Sequence, residues 1–339
     1  MFVRRLLAAT LVLSCMSILP AAAAQTATAV SAAHPTTYKT VAVNGLNIFY
    51  REAGPDNAPV ILLLHGFPSS SRMFDRLMPL LADRYHLIAP DYPGFGNSEA
   101  PPPDKFSYAF AGIADVVDAF TQNLHLDRYA LYVQDYGGPV GYRLAVAHPE
   151  RVTALIVQNA VAHEEGLGRL KGARTGFWAD RAANEKSYRD GLGSPERGRV
   201  RHVGSSPHPE RYDPDLWQDE VAFLGRPGEA DIQSDLFYDY RTNLDAYPAW
   251  QAWLRERQPP TLIVWGRYDP VFDIAEVAAL QHDVPKAEVH VLDAGHFALD
   301  ESADDIARLM RGFLARLPRA AMKGTGSPSR LRQGIGFHG

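Results

Sequence analysis

Five runs of unbroken apolar residues constrain this chain more than any other feature: PVILLLHG (59–66), YHLIAPDY (85–92), RYALYVQD (128–135), VTALIVQNA (152–160) and TLIVWGRYD (261–269). A strand with one wet face alternates apolar and polar residues, so a run without alternation predicts a strand buried on both faces. Segments with apolar residues at helical spacing separate the runs: SRMFDRLMPLLAD (71–83), AGIADVVDAFTQNLHL (111–126), GPVGYRLAVAHP (138–149) and ADDIARLMRGFLARL (303–317). In the first of these Met73, Leu77, Leu80 and Leu81 share one face. Strand and helix in alternation predict an α/β fold, a mostly parallel sheet with helices on both faces. A hairpin precedes it, because KTVAVNGLNIFYREAG (39–54) carries two alternating runs around Asn44-Gly45.

The alternation stops after Ala160 and resumes at Thr261. Residues 162–256 are rich in Arg, Glu, Gly, Pro and aromatics without a strand pattern, which predicts an inserted helical lid, or cap, between two core parts, 25–161 and 257–318. At the front, residues 1–24 have Arg4 and Arg5, then an apolar run, then small residues, the layout of a secretory signal peptide cleaved after Ala24. Export to a periplasmic or secreted location is the expectation; lipidation at Cys15 is the alternative. Cys15 is the only cysteine, so the mature chain would hold no disulfide, thiolate nucleophile or cysteine-bound metal. The formal charge is −5, or −7 without Arg4 and Arg5, and no basic cluster suggests nucleic acid. Residues 319–339, with Gly, Ser and four basic residues, read as a disordered tail. No stable membrane insertion is expected, no glycine-rich nucleotide loop occurs, and no cofactor or metal is implied; His202 and His208 read as surface residues.

Ligands of open parallel sheets bind at the carboxyl ends of the strands. Three polar residues fall there: Asp135 after RYALYVQ, Asp269 after TLIVWGRY and His296 after AEVHVLDAG. Together with HGFP (65–68), DYPGFGNS (91–98), VQDYGG (133–138), GRYDP (266–270) and GHFALDE (295–301), they make the chain resemble the α/β-hydrolase superfamily, in its aspartate-nucleophile branch. The usual elbow serine is replaced here by Asp135. A carboxylate is already ionised and suits displacement at saturated carbon, giving an alkyl-enzyme ester. The resemblance implies His296 as the base that activates water, Asp269 as its acid partner, and the N–H groups of Phe67 and Tyr136 as the oxyanion hole.

Two leaving groups fit that chemistry. In haloalkane dehalogenases a tryptophan commonly follows the nucleophile, whereas Tyr136 stands here. Fluoroacetate dehalogenases place arginines beside it, where this chain has Tyr136 and Pro139. Epoxide hydrolases use a lid phenol, and the Tyr240-Arg241 pair in SDLFYDYRTNL resembles theirs. Leu236, Phe237, Tyr240 and Leu244 share a helical face and Tyr238 points away. Tyr188 and Tyr212 are candidates for a second phenol, Trp178 for a pocket wall or N–H donor, and Trp250 and Trp253 for anchors of the returning lid helix. The expectation is hydrolysis of a small apolar epoxide, with haloalkane dehalogenase-like chemistry as the alternative and ligand binding without turnover as the reading outside catalysis. Oligomeric state is left open by the sequence.

Overall fold

The computed structural model describes residues 34–318; the leader 1–24 with Cys15 and the tail 319–339 lie outside the described residues. Eight strands form one sheet: β1 (Thr37–Val43), β2 (Leu46–Ala53), β3 (Val60–Leu64), β4 (His86–Pro90), β5 (Tyr129–Gln134), β6 (Val152–Gln158), β7 (Thr261–Gly266) and β8 (Glu288–Leu292). Their spatial order is β1-β2-β4-β3-β5-β6-β7-β8. The first two pairings, β1 with β2 and β2 with β4, are antiparallel, and the rest are parallel. The β1–β2 hairpin turns at Asn44 and Gly45, both at positive φ, which suits the twist of the flanking strands.

Every residue of β4, β5 and β7 is buried, as their unbroken apolar runs require. Removing one such side chain, Leu131→Ala for instance, would cost about 2–5 kcal/mol through lost burial and the cavity left behind. The core helices are α1 (Met78–Leu81), α2 (Phe110–Asn123) and α3 (Gly137–Ala147); α1 is shorter than the spacing from Met73 to Leu81 suggests. A 3-10 turn, Ser71–Phe74, precedes it, and Pro79, which has no N–H to return to an earlier carbonyl, stands in its first turn. Leu77 and Leu81 are nevertheless buried.

Between β6 and β7 the chain is built of helices: a 3-10 segment Glu165–Arg174, α4 (Arg181–Leu192), α5 (Pro195–Val203), α6 (Asp215–Leu224), α7 (Glu229–Asp239) and α8 (Arg241–Arg257). Ser194 caps α5 by accepting from the Arg197 N–H, with Pro195 at the first position, where a missing N–H costs nothing. Two more helices, α9 (Ala275–Asp283) and α10 (Leu299–Ala315), complete the core. Trp250 and Trp253 of α8 are buried, and Tyr142 of α3 stacks on Trp250 with centroids 5.3 Å apart.

Two buried histidines tie the helical insertion to the core. His163 lies between Glu276 and Asp283 of α9, at 2.9 and 3.1 Å. His202, expected at the surface, is instead buried between Glu220 of α6 at 2.8 Å and Asp300 of α10 at 2.6 Å. Its partners lie 18 and 98 residues away in sequence, which is why its neighbours in the chain do not reveal them. Among the described residues no helix is long and apolar enough to cross a membrane.

Candidate active site

The sheet reverses its winding between β3 and β5: the chain passes from β3 to β4 on one side, then to β5 on the other. A crevice opens at such a switch point beyond the carboxyl ends of the strands. Phe67 and Asp135 meet there. Asp135 sits between β5 and α3 at φ +47°, a strained backbone for a residue with a side chain. The turn is held by the Gly138 N–H donating to the Asp135 carbonyl at 2.9 Å and by the Asp135 N–H donating to the Asn159 carbonyl at 3.1 Å. It is also tight, since a Cβ on Gly137 would lie 2.2 Å from the Leu64 carbonyl oxygen.

The elbow aims the carboxylate of Asp135 in two directions. Oδ1 accepts the Phe67 N–H at 2.7 Å, and Oδ2 lies 3.6 Å from Nε2 of His296. The Tyr136 N–H, at the start of α3, has no hydrogen-bond partner among the described residues. Nδ1 of His296 is 2.8 Å from Oδ2 of Asp269. Asp269 is fixed in turn by the N–H groups of Val271 (2.6 Å) and Phe272 (3.0 Å) and by the Asn159 side-chain amide (2.7 Å). The structure therefore brings Asp135, Asp269, His296, Phe67 and Tyr136 together from four strand ends.

Electrostatics follow from that packing. Burial alone would depress His296, but the charge of Asp269 and the contact with Asp135 outweigh it and push the imidazole up to about 10. His65, by contrast, is buried without a carboxylate at hydrogen-bond distance. Desolvation drives it down to about 3, and as a neutral ring it stacks on Tyr92 at 4.0 Å, which steadies the loop carrying Phe67.

A cavity of about 170 Å³ lies over the carboxylate, smaller than the roughly 300–1,000 Å³ usual for drug-sized ligands. Asp135, Tyr136, Phe67 and His296 form one side, and the lid residues Tyr188, Phe237 and Tyr240 contribute to the other. Tyr240 stands at the junction of α7 and α8, fully buried, and its hydroxyl has no hydrogen-bond acceptor of good geometry. Burial, the facing Tyr247 hydroxyl and the charge of Asp135 hold its proton on well above the usual tyrosine range. Arg241 turns outward and stacks on Tyr238, with Cζ 3.7 Å from the ring centroid.

Of the two second-phenol candidates, Tyr188 lines the cavity and Tyr212 does not; the Tyr212 ring lies near Gly295 and Glu301 instead. Trp178 departs from expectation as well. It is absent from the cavity wall, its indole N–H donates to the Phe237 carbonyl at 2.6 Å, and its ring stacks on Tyr240 from behind at 5.7 Å. Sequence reading missed four contributors. Asn159 and Gln134 were legible as strand-end polar residues, and the Gln134 amide lies 3.1 Å from Nε2 of His296. Arg197 and Arg201, one helical turn apart on α5, also line the cavity.

The family model for the alpha/beta hydrolase fold matches residues 59–303, and the chain belongs to that family. It is 40% identical over 268 residues to an uncharacterized hydrolase of Saccharomyces cerevisiae, spanning 78% of this chain and 92% of the relative. A haloalkane dehalogenase of Psychrobacter cryohalolentis is 25% identical over 81% of this chain and 89% of its own length. Among solved structures, an epoxide hydrolase without ligand superposes with a TM-score of 0.69 at 18% identity, covering 84% of this chain and all of that one (100%). At that identity the likeness speaks for the fold alone.

Proposed function

We propose that this α/β hydrolase opens an epoxide to a vicinal diol through a covalent ester on Asp135. One observation carries the reading: phenols stand over the carboxylate, while the nearby lid indole, Trp178, has its N–H committed to a backbone carbonyl. A halide leaves as a stable anion and needs only weak donors. An alkoxide is strongly basic and needs a proton, which a phenol held in its neutral form can give.

Oδ2 of Asp135 bonds to a ring carbon as the carbon–oxygen bond breaks, and the ring oxygen takes the electron pair and a proton from Tyr240. The ester leaves Oδ1 beside the Phe67 N–H, where the oxyanion of the next step forms. Ester formation also removes the Asp135 charge, one of the influences keeping His296 protonated, so the imidazole releases its proton to solvent and becomes free to act as a base, taking one up again when the Asp135 carboxylate is restored. Water adds to Cγ and gives a proton to Nε2 of His296. As the intermediate collapses, the departing alkoxide takes that proton. Asp135, now holding an oxygen from water, returns its remaining proton to Tyr240.

A second reading, carbon–halogen hydrolysis through the same ester, is supported by the similarity to haloalkane dehalogenases. Intact mass of His296→Gln, incubated separately with epoxides and haloalkanes, decides between them. An adduct on Asp135 equal to the whole epoxide supports ring opening, and an adduct lacking the halogen supports the second reading. No adduct on a folded variant removes both.

A further inference from the structure

We propose that the cavity is built for a substrate bearing a carboxylate, held by Arg201 and Arg197 of the lid while Asp135 attacks the neighbouring carbon. This rests on the ester mechanism above and names its substrate class. The positions immediately after the nucleophile, Tyr136 and Pro139, carry no cation, so the elbow alone suggests an uncharged ligand. The lid supplies the charge instead. Both arginines lie on α5, four residues apart and so on one face, and both line the cavity that contains Asp135 and His296.

Arg201 is partly buried, with 15% of its side chain exposed, and sits 5.6 Å from the centroid of the Phe67 ring. Nε and Nη2 both donate to a single oxygen of Glu220, at 3.2 and 3.0 Å. Nη1 has no acceptor among the described residues, although it belongs to a planar group with donors enough for a second anion. Arg197 is more exposed and packs against Gly191 at the cavity wall. No ion pair or hydrogen bond to its guanidinium occurs among the described residues.

The charge count points to a monoanion. Around α5 the cations are Arg197, Arg199, Arg201 and His202, whose imidazole is pushed up to about 9 against the pull of burial by Glu220 and Asp300. Glu196 pairs with Arg199, and Glu220 and Asp300 are the facing anions, so four cations against three anions leave one positive charge in excess. That excess lines the same small cavity as the nucleophile, where an anion would otherwise be repelled by Asp135. A short epoxy acid meets both conditions: its carboxylate spans Nη1 of Arg201 and Arg197, and its ring lies under Tyr240 and Tyr188.

The test compares 2,3-epoxybutanoate with its neutral amide, and 2-chloropropanoate with its amide, on wild type, Arg201→Gln, Arg201→Lys and Arg197→Gln. A charge-assisted contact is worth about 10- to 100-fold. Wild type should favour the acid over the amide by at least that factor in kcat/KM. Arg201→Gln should lose about 10- to 100-fold on the acid and stay within about threefold on the amide, with partial rescue by lysine. Arg197→Gln breaks no ion pair or hydrogen bond among the described residues and should lower acid turnover alone, so misfolding cannot mimic the result. Epoxide turnover without acid preference overturns the subsite and leaves ring opening standing. Acid preference confined to the chloro pair removes ring opening and keeps the subsite. If neither pair turns over, calorimetry of butanoate against butanamide decides, and equal binding overturns the subsite.

Discussion

Replacing Asp135 by asparagine should convert His296 from a resident cation into a group that titrates near neutrality. Two carboxylates face the ring, Asp269 at 2.8 Å and Asp135 at 3.6 Å, and its pKa is raised to about 10. Asparagine keeps the shape of the Asp135 side chain and removes its charge, as alkylation would. At an effective dielectric constant of about 20, unit charges at this separation interact by about 4–5 kcal/mol, or roughly three pKa units. His296 in Asp135→Asn should therefore titrate near pH 7. Imidazole nitrogen shifts followed by NMR from pH 5 to 11 in both proteins measure this directly. In the wild type, the same switch predicts that kcat, limited by ester hydrolysis, rises with pH through about 7. The kcat/KM profile should show no such limb below about pH 10. A variant whose His296 still titrates above pH 9 would refute the idea that esterification frees the base. So would a wild-type histidine with an ordinary pKa.

Two further outcomes are expected. Tyr240→Phe should lower kcat for epoxides by about 100-fold or more, since it removes a proton donor, and Tyr188→Phe should cost less; stopped-flow turnover would show this, and equal, small losses would count against Tyr240 as the donor. His202→Asn should destabilise the protein by about 2–3 kcal/mol at neutral pH. The folded pKa of His202, about 9, exceeds the roughly 6.5 of an unfolded histidine, so this stabilisation is complete below pH 6.5 and disappears as pH rises through 9. Urea melts of both proteins from pH 6 to 10.5 should converge at the alkaline end. A difference independent of pH would mean that the stacking of His202 on Phe297, with centroids 4.4 Å apart, and not charge, is what matters.

Local pattern was enough to reveal the sheet, because a strand buried on both faces carries few polar residues and confines them mainly to its ends, as with His86, Gln134 and Gln158. It also exposed Asp135, Asp269 and His296, since strand ends are where polar residues first become tolerable. Helical spacing marked one face around Tyr240 in the same way. Tertiary structure decided what spacing cannot encode. His202 reads as a surface residue until Glu220 and Asp300 arrive from distant helices. Trp178 reads as a pocket wall until its N–H is claimed by the Phe237 carbonyl and its ring takes the back of Tyr240. The cationic side of the cavity, Arg197 and Arg201, was unreadable for the same reason. A charged residue on an amphipathic helix looks solvated in sequence, and only the seating of the lid over the strand ends turns that face toward the nucleophile. Core contacts repeat with the period of the backbone, whereas lid contacts depend on how separate helices happen to dock.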